Sequence, residues 1–253
     1  MNFNPSNCIL NYDSYEDIDF QLVKKNLELN SVVVIRGLVS KDEINQAVRK
    51  IKNNFDKNKD HPTIGESPKD IQNNFQKLLV GGHTHSGLYL TRLFRTFYNP
   101  IWSENIYGMH HIYKLMIKIR NKCSNYPENF ALEKIEENGL WSATRIHQYP
   151  QGGGYFAKHK DTVLTAVSKE ENINFIQVII NMTKLGVDFE SGGAFVEVNN
   201  DKIFFEKEFA LGDIIIYDER TIHGVDEIDI NKNLDLDNIC GRLTAFVSLY
   251  KNL

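Results

Sequence analysis

The stretch YPQGGGYFAKHKD, residues 149–161, decides the fold that we predict for this chain. Its three consecutive glycines, Gly152 to Gly154, indicate a tight turn, and we expect a hairpin between two strands there. The aromatic pair after the turn favours a β-strand. Alternate side chains of a strand point to one face, so His159 and Asp161 can hold two neighbouring positions on one metal ion. On a helix the two side chains would lie about 200° apart, so the metal prediction depends on the strand.

The composition of the chain is that of an ordinary globular protein. A length of 253 residues fits one large domain or two small ones, and 42% apolar with 25% charged residues allows a sizeable core. A net charge of -4 gives no indication of a nucleic-acid or anionic-membrane partner. The polar, acidic N-terminal segment lacks the features of a signal peptide. With three widely spaced cysteines, Cys8, Cys123 and Cys240, we expect a reduced, cytoplasmic protein.

The order of secondary-structure signals predicts a single domain over residues 1–253. The β-branched run Val32 to Ile35 indicates a strand, and Ser40 with Glu43 forms a capping box at the start of a helix. A second helix is predicted within NPIWSENIYGMHHIYKLMIKIRNKC. From Leu140 onward, short β-rich runs separated by turn signals are typical of an antiparallel sandwich or barrel. We therefore expect a mainly β protein in which helices of residues 1–139 support a barrel of residues 140–253.

Three further residues extend the metal hypothesis. His223 lies near the end of a strand-like run, and together with His159 and Asp161 it would complete a two-histidine, one-carboxylate triad. Arg242 begins the last strand and Thr244 lies on the same face. A guanidinium binds a carboxylate through two parallel hydrogen bonds, which suits an anion deep in a barrel. The alternative for the His-x-Asp pair is a surface pair at a strand end.

As an ordered set, these motifs resemble the Fe(II)/2-oxoglutarate-dependent dioxygenases. YPQGGGYFAKHKD, the Ser-Gly-Gly at Ser191 and the Gly212-Asp213 turn are similar to motifs of the prolyl-hydroxylase branch. The resemblance implies a double-stranded β-helix (jelly-roll, cupin-like) core. It also implies Fe(II), 2-oxoglutarate and O2 as cofactor and cosubstrates, with stimulation by ascorbate. In such a site Arg242 and Thr244 would bind the far carboxylate of 2-oxoglutarate, and Tyr149 would hydrogen-bond to it. The acidic stretch 226–238 departs from the family pattern as an insertion.

The substrate predicted from the sequence is a small molecule, most simply a free amino acid such as lysine. The segment upstream of Tyr149 resembles the small bacterial hydroxylases and halogenases of free amino acids. Because Asp161 is present, hydroxylation is favoured over halogenation, with desaturation and cyclisation left open. A substrate carboxylate would be bound by Arg92 or Arg95, whereas the acidic insertion would face its amine. Arg145 and His147 share the interior face of the Tyr149 strand and are further substrate candidates.

Two alternative functions remain open from the sequence. The first is hydroxylation of a peptidyl or protein side chain, and the second is a cupin-like metal-binding protein that does not use 2-oxoglutarate. Arg242 with Thr244 distinguishes them, since a protein without the cosubstrate has no need of that pair. His83 and His85, in GGHTHSG, are predicted to lie in a polar loop rather than at a second metal site.

Overall fold

The computed structural model describes residues 5–61, 67–82, 90–161 and 175–251. Within these ranges the α-helices are α1 Phe20–Asn30, α2 Lys41–Asn54, α3 Pro68–Ile71, α4 His110–Cys123 and α5 Phe205–Glu208. Short 3-10 helices occur at Pro5–Cys8 and Lys57–Lys59. The strands are β1 Ile9–Asn11, β2 Val32–Arg36, β3 Phe75–Val80, β4 Arg92–Tyr98, β5 Leu140–Tyr149, β6 Gly154–His159, β7 Ile176–Asn181, β8 Gly193–Val198, β9 Asp201–Phe204, β10 Ile214–Asp218, β11 Ile222–Ile228 and β12 Arg242–Lys251. His83 and His85 lie outside the described residues.

The strands form one continuous sheet that folds into two layers. Strands β1, β2, β10, β7, β12, β5 and β4 follow one another in a major layer, and the path continues through β6, β11, β8 and β9 in a minor layer. One hydrophobic cluster contains inward side chains of both layers, among them Val34 and Ile215 from the major and Val196 and Val225 from the minor layer. The predicted mainly β architecture with flanking helices is therefore confirmed.

Helices α1, α2 and α4 cover the outer face of the major layer. The predicted capping box is present, since the Ser40 side chain accepts from the Glu43 amide and the Glu43 carboxylate accepts from the Ser40 amide. Ile44 and Ile51 of α2 and Met116 of α4 are fully buried against the sheet in the larger hydrophobic cluster. The sheet contributes its alternate residues to this cluster, for example Ile180, so the period of two separates the helix side of each strand from the barrel interior.

Residues 1–139 contain more strand than the sequence predicts. Besides β2, which was expected, strands β1, β3 and β4 also lie in this part of the chain. Strand β1 pairs in parallel with β2, and β2 pairs with β10, so the N-terminal segment widens the major layer. Strand β4 is central to the fold because it pairs with β3, β5 and β6. The N-terminal part therefore builds part of the barrel wall as well as its helical support.

The expected glycine hairpin between β5 and β6 is wrong. Both strands are antiparallel to β4, with Gln148 opposite Arg95 and Tyr155 opposite Leu93, so β6 runs in the same direction as β5. The residues between them form a corner that takes the chain from the major to the minor layer. Glycine is required there because Gly152 has φ of 81° and an added Cβ would lie 2.4 Å from the Leu234 backbone.

Buried polar side chains hold the segment between β11 and β12 against β4 and β5. The Arg95 Nη2 atom donates to the Leu236 carbonyl at 2.9 Å and to Asp60 Oδ2 at 2.6 Å. The amide of Gln148 donates to the carbonyls of Asn238 and Cys240 at 2.9 and 3.0 Å. The acidic insertion is thus packed on the outer face of the barrel wall. None of the helices in the described ranges has the length and apolar character needed to span a membrane.

Arg95→Met is expected to destabilise the protein by about 3–5 kcal/mol, because it removes one partner of a buried ion pair and leaves the other without its cation. The Arg95 side chain is 0% exposed and that of Asp60 16% exposed. The measurement is the free energy of unfolding in urea. Lys57→Met is the matched control, since Lys57 also ties this region through Asp237 but with both side chains more than half exposed. That solvent-screened pair should contribute little, so Lys57→Met should lose much less stability than Arg95→Met. If the two variants lost equal amounts of unfolding free energy, Arg95 would not be the buried tie between β4 and this segment.

Candidate functional site

His159, Asp161 and His223 meet at one end of the space between the two layers. Strand β11 is antiparallel to β6, and His223 is the register partner of His159. The Nε2 atoms of both histidines lie 3.8 Å from Asp161 Oδ1. Asp161 lies two residues beyond the end of β6 at His159, and its carboxylate stays beside the two imidazoles. One ligand atom of each residue lies within 4.8 Å of the others, which is a spacing that a single metal ion can bridge.

The backbone fixes the tautomer of both histidines. His159 Nδ1 lies 2.7 Å from the carbonyl of Ala157, and His223 Nδ1 lies 3.0 Å from the carbonyl of Thr221. A carbonyl oxygen only accepts, so each Nδ1 carries the proton and each Nε2 presents a lone pair towards Asp161. Second hydrogen bonds of this kind orient histidine ligands in metal sites. The two imidazoles are therefore arranged as ligands before any metal binds.

The protonation state of the site also suits a cation. Burial, followed by the neighbouring His223, lowers the pKa of His159 to about 4, so His159 is neutral at physiological pH. Two imidazoles and one carboxylate form the donor set preferred by non-haem Fe(II), with positions left for other ligands. The cluster, together with the cavity described next, therefore fits a divalent iron ion.

A cavity of about 70 Å³ is lined both by the triad and by Arg242. Arg242 is fully buried, and its Nε atom donates to Glu206, a buried carboxylate on α5. Among the described residues, its Nη1 and Nη2 atoms have no hydrogen-bond partner. A buried polar group without a partner costs about 1–3 kcal/mol. The Nη1–Nη2 edge, held in place by Glu206, is thus available for a carboxylate that enters the cavity.

Two glycines explain how Glu206 and Arg242 come together. Gly193 has φ of 134°, and an added Cβ would lie 2.8 Å from Glu206 Oε2. The Ala194 amide next to it donates to the same oxygen at 3.0 Å. Gly192 has φ of 84° and approaches the Glu227 carbonyl at a distance that a Cβ would not allow. The Ser-Gly-Gly motif therefore lets the carboxylate of Glu206 rest on the start of β8.

Tyr149 and Thr244 flank Arg242 in different ways. The Tyr149 ring lies over the guanidinium, with 5.4 Å from Cζ to the ring centroid, and lines the cavity. Tyr149 is the register partner of Arg242 across β5 and β12. Thr244 shares the inward face of β12, but its hydroxyl donates to the Ile180 carbonyl at 3.0 Å and it does not line the cavity. Tyr149 is thus placed to contact a ligand of Arg242.

The two arginines of β4 point in opposite directions. Arg95 faces the outside of the barrel wall, in contact with Asp60, as described above. Arg92 lies three residues away and shares its face with Phe94, whose ring packs on those of Tyr149 and Phe156 in the cavity wall. Arg92 is partly buried, and its charge contributes to the lowered pKa of His159. Of these two candidates, the structure brings only Arg92 to the site.

Arg145 and His147 line the cavity on the inward face of β5. Arg145 Nε donates to His147 Nε2 at 3.1 Å, and the Arg145 guanidinium lies 5.3 Å from the centroid of the Phe246 ring. Burial, reinforced by the charge of Arg145, holds the pKa of His147 well below its ordinary value. His147 is therefore neutral and accepts from Arg145 through Nε2, which places its proton on Nδ1.

Sequence reasoning did not find several residues that the structure places at the site. Glu206 holds Arg242, and Gln177 donates from Nε2 to Asp161 Oδ2 at 3.1 Å. Tyr217 of β10 packs against His223 with 4.9 Å between ring centroids. For Gln177 and Tyr217 the sequence signal was an inward position on a strand, whereas Glu206, on α5, had no such signal. A wider, open groove of about 680 Å³ lies on the other side of β6 and β11 and contains none of the triad.

No family model matches the chain, and a search of curated proteins also finds no match. Solved structures do match. A prolyl hydroxylase from Trichoplax adhaerens, in complex with a hypoxia inducible factor oxygen degradation domain peptide fragment, aligns with a TM-score of 0.57 at 10% identity, covering 92% of this chain and 89% of that chain. A Pseudomonas putida prolyl-4-hydroxylase aligns with a TM-score of 0.53 at 11% identity, covering 92% and 98%. The non-heme alpha ketoglutarate dependent epimerase SnoN from nogalamycin biosynthesis aligns with a TM-score of 0.55 at 8% identity, covering 92% and 82%.

These similarities define a fold class. The chain has the double-stranded β-helix fold of the 2-oxoglutarate/Fe(II) oxygenases, as predicted, and holds a His-x-Asp…His cluster within it. At about one identical residue in ten, the likeness is one of fold. The assignment to the prolyl-hydroxylase-like branch or to the amino-acid hydroxylase group stays a prediction.

Asp161→Ala and His223→Ala are each expected to weaken the affinity for Fe(II) or Mn(II) by at least tenfold, because each removes one of three protein ligands. Titration of the metal-free protein under anaerobic conditions measures this affinity. His111→Ala is the control, since His111 pairs with Glu43 on the helical side of the molecule. Wild-type affinity in Asp161→Ala would show that the triad does not bind the metal.

Proposed function

We propose that this protein is an Fe(II)- and 2-oxoglutarate-dependent dioxygenase that hydroxylates an unactivated C–H bond of a small substrate. The observation that carries the proposal is that one cavity joins the His159–Asp161–His223 cluster to the unpaired guanidinium edge of Arg242. A metal cluster and a buried carboxylate receptor that line the same cavity suit a cosubstrate with an acid at each end.

The protein residues in this proposal bind and orient. His159, Asp161 and His223 hold the iron, which supplies the activation of O2 coupled to oxidative decarboxylation of 2-oxoglutarate. Arg242 binds the far carboxylate through Nη1 and Nη2, because Nε is already engaged by Glu206. Tyr149 packs over this pair and excludes water from it.

A cupin-like metal protein without the cosubstrate is the less supported alternative. It gives no reason to bury an arginine whose two terminal nitrogens lack partners among the described residues. Leaving such an edge unpaired is costly unless a ligand completes it. The Arg242 edge therefore favours a protein that binds an organic anion next to the metal.

We propose a free amino acid, such as lysine, as the substrate, with Arg92 as the residue that binds its carboxylate. Arg92 is partly buried and its charge acts on His159, and its guanidinium makes no side-chain hydrogen bond or ion pair within the part of the chain that the structure describes. Arg145 and His147 would form the wall behind the substrate. Asp161 occupies the ligand position that halide would need, which favours an oxygenated product. The negative net charge supports a small-molecule substrate over nucleic acid or a membrane surface. The three widely spaced cysteines support a cytoplasmic enzyme.

A peptidyl side chain is the second candidate substrate. Two of the similar structures are prolyl hydroxylases, and one of them is described in complex with a peptide fragment. The likeness concerns the fold, so it does not favour a peptide substrate over a free amino acid. Free amino acids and proline-containing peptides therefore belong in the same substrate screen.

Arg242→Met should raise the apparent KM for 2-oxoglutarate by at least about 30-fold, which corresponds to about 2 kcal/mol for loss of one partner of a buried charge pair. The assay is succinate release with Fe(II) and ascorbate at varied 2-oxoglutarate. Arg49→Met, an exposed arginine on α2, is the control and should leave the KM unchanged. If Arg242→Met keeps the wild-type KM, another cation binds the far carboxylate.

In the screen, a free amino acid should stimulate succinate release, and mass spectrometry should find a product heavier by one oxygen atom. Arg92→Met should then raise the KM for the amino acid by at least about tenfold without changing that for 2-oxoglutarate, because only the substrate loses a charge-assisted hydrogen bond. Stimulation by a proline peptide but by none of the amino acids would instead support the second candidate. A chlorinated product in excess chloride would contradict the role given to Asp161.

A further inference from the structure

The oxygen of Asp161 that faces away from the histidines belongs to a buried hydrogen-bond chain. Gln177 Nε2 donates to Asp161 Oδ2 at 3.1 Å, and Ser248 Oγ donates to Gln177 Oε1 at 2.6 Å. Arg145 Nη1 in turn donates to Ser248 Oγ at 3.1 Å. Three strands, β5, β7 and β12, contribute one member each, and all three members face the barrel interior. The chain thus connects a buried cation to the carboxylate of the triad.

The direction of every proton in this chain follows from its two ends. Arg145 only donates and an ionised Asp161 only accepts. If the Gln177 amide were turned over, its Oε1 atom would face the Asp161 carboxylate. Two oxygens that can only accept would then lie opposite each other, so the amide has the orientation in which Nε2 donates to Asp161. The hydroxyl of Ser248 therefore donates to Gln177 and accepts from Arg145. Hydrogen bonds that all run one way from a cation to an anion strengthen one another in a low-dielectric interior.

We propose that Gln177 is a positioning residue for the metal ligand Asp161, and that Ser248 links it to Arg145. Gln177 holds the Oδ2 atom away from the centre of the triad, which leaves Oδ1 as the single ligand atom of the carboxylate. This inference rests on the proposed function, because it assigns Gln177 a role only if the triad binds a metal. It adds residues that neither the motifs nor the triad itself identifies.

The geometry separates this role from ordinary core packing. Ser248 is fully buried and Gln177 is 4% exposed, so neither side chain finds solvent as an alternative partner. Without Gln177, the Oδ2 atom would lose the amide that donates to it, and the orientation of the carboxylate towards the metal would change. Residues that hydrogen-bond to a ligating carboxylate in this way typically change metal affinity by 10–100-fold when they are removed.

Two residues on the other face of the same sheet, outside this hydrogen-bond network, provide matched controls. Gln148 is a buried glutamine of β5 whose amide binds the β11–β12 segment, away from the cavity. Ser142 is a buried serine of β5 whose hydroxyl donates to the Ala131 carbonyl. Gln148→Leu and Ser142→Ala remove the same groups as Gln177→Leu and Ser248→Ala, with a similar structural cost but without contact to the triad.

The experiment titrates metal-free protein with Mn(II) and records the visible spectrum of the Co(II)-loaded protein, in the absence of 2-oxoglutarate. Gln177→Leu should weaken Mn(II) binding by about tenfold or more and change the Co(II) spectrum, since the coordination by Asp161 changes. Ser248→Ala should show a smaller loss in the same direction. Both controls should bind Mn(II) within about twofold of wild type, whatever their thermal stability.

The outcomes distinguish this inference from the proposed function. If wild-type protein does not bind Mn(II), the metal centre itself is refuted. If wild type binds Mn(II) and folded Gln177→Leu binds it equally well with an unchanged Co(II) spectrum, the positioning role is overturned. Should Gln177→Leu fail to fold, Gln177→Met is measured instead, because it keeps the length of the side chain without the amide that donates to Asp161. Unchanged Mn(II) affinity and an unchanged Co(II) spectrum in that variant likewise overturn the positioning role.

Discussion

The pairing of β6 with β11, which sets His223 opposite His159, is the constraint on which the site depends. A slip of one residue would turn every side chain of β11 to the other face of the minor layer. The glycine corner secures this register, because the amides of Gly152 and Gly153 donate to the carbonyls of Asp229 and Ile228 at the end of β11. The corner before β6 and the end of β11 are therefore fixed to each other. Once that pairing exists, the backbone carbonyls beside each histidine bind its Nδ1 atom. The Nε2 atoms of His159 and His223 then both lie 3.8 Å from Asp161 Oδ1.

Buried charge in the barrel is arranged so that each cation is partly satisfied by the protein. Arg242 uses its Nε atom on Glu206 and keeps its terminal edge for a ligand. Arg145 donates to Ser248 and to His147, one branch leading towards Asp161 and the other towards Tyr149, whose hydroxyl lies 3.4 Å from His147 Nδ1. Such networks are stable only when nearly every member is satisfied. Among the described residues that line the cavity, Arg242 keeps both Nη1 and Nη2 without a partner, and an unpaired cationic edge of this kind indicates where an anionic ligand binds.

The sequence predicted the parts of this protein that depend on local patterns. Alternation of side chains placed His159 beside Asp161 and Arg242 on an inward face, and the capping box began α2 where expected. The failures share a cause, since they depend on long-range pairing. Three glycines permit positive φ angles, but they do not determine whether the next strand pairs back with β5 as a hairpin. In the structure β6 instead pairs with β4 and runs in the same direction as β5. Glu206 and Gln177 reach the site through the register of strands far apart in the chain. Arg92 and Arg95 look equivalent in sequence, and only the pairing of β4 shows which one faces the cavity.

The placement of residues separates the proposed chemistry from the proposed specificity. His159, His223 and Arg242 lie on the paired strands β6, β11 and β12, and Asp161 lies in the loop after β6. Arg92 lies at the start of β4, where only its first two residues pair with β6. A change at this end of β4 alters what borders the cavity without shifting the register of His159 and His223. Under the proposed function, a substrate residue at this position is free to differ between proteins that share the same fold, metal ligands and cosubstrate receptor. Solved structures with different named activities align with about nine-tenths of this chain at about one identical residue in ten, so the shared fold does not by itself determine what binds beside Arg92.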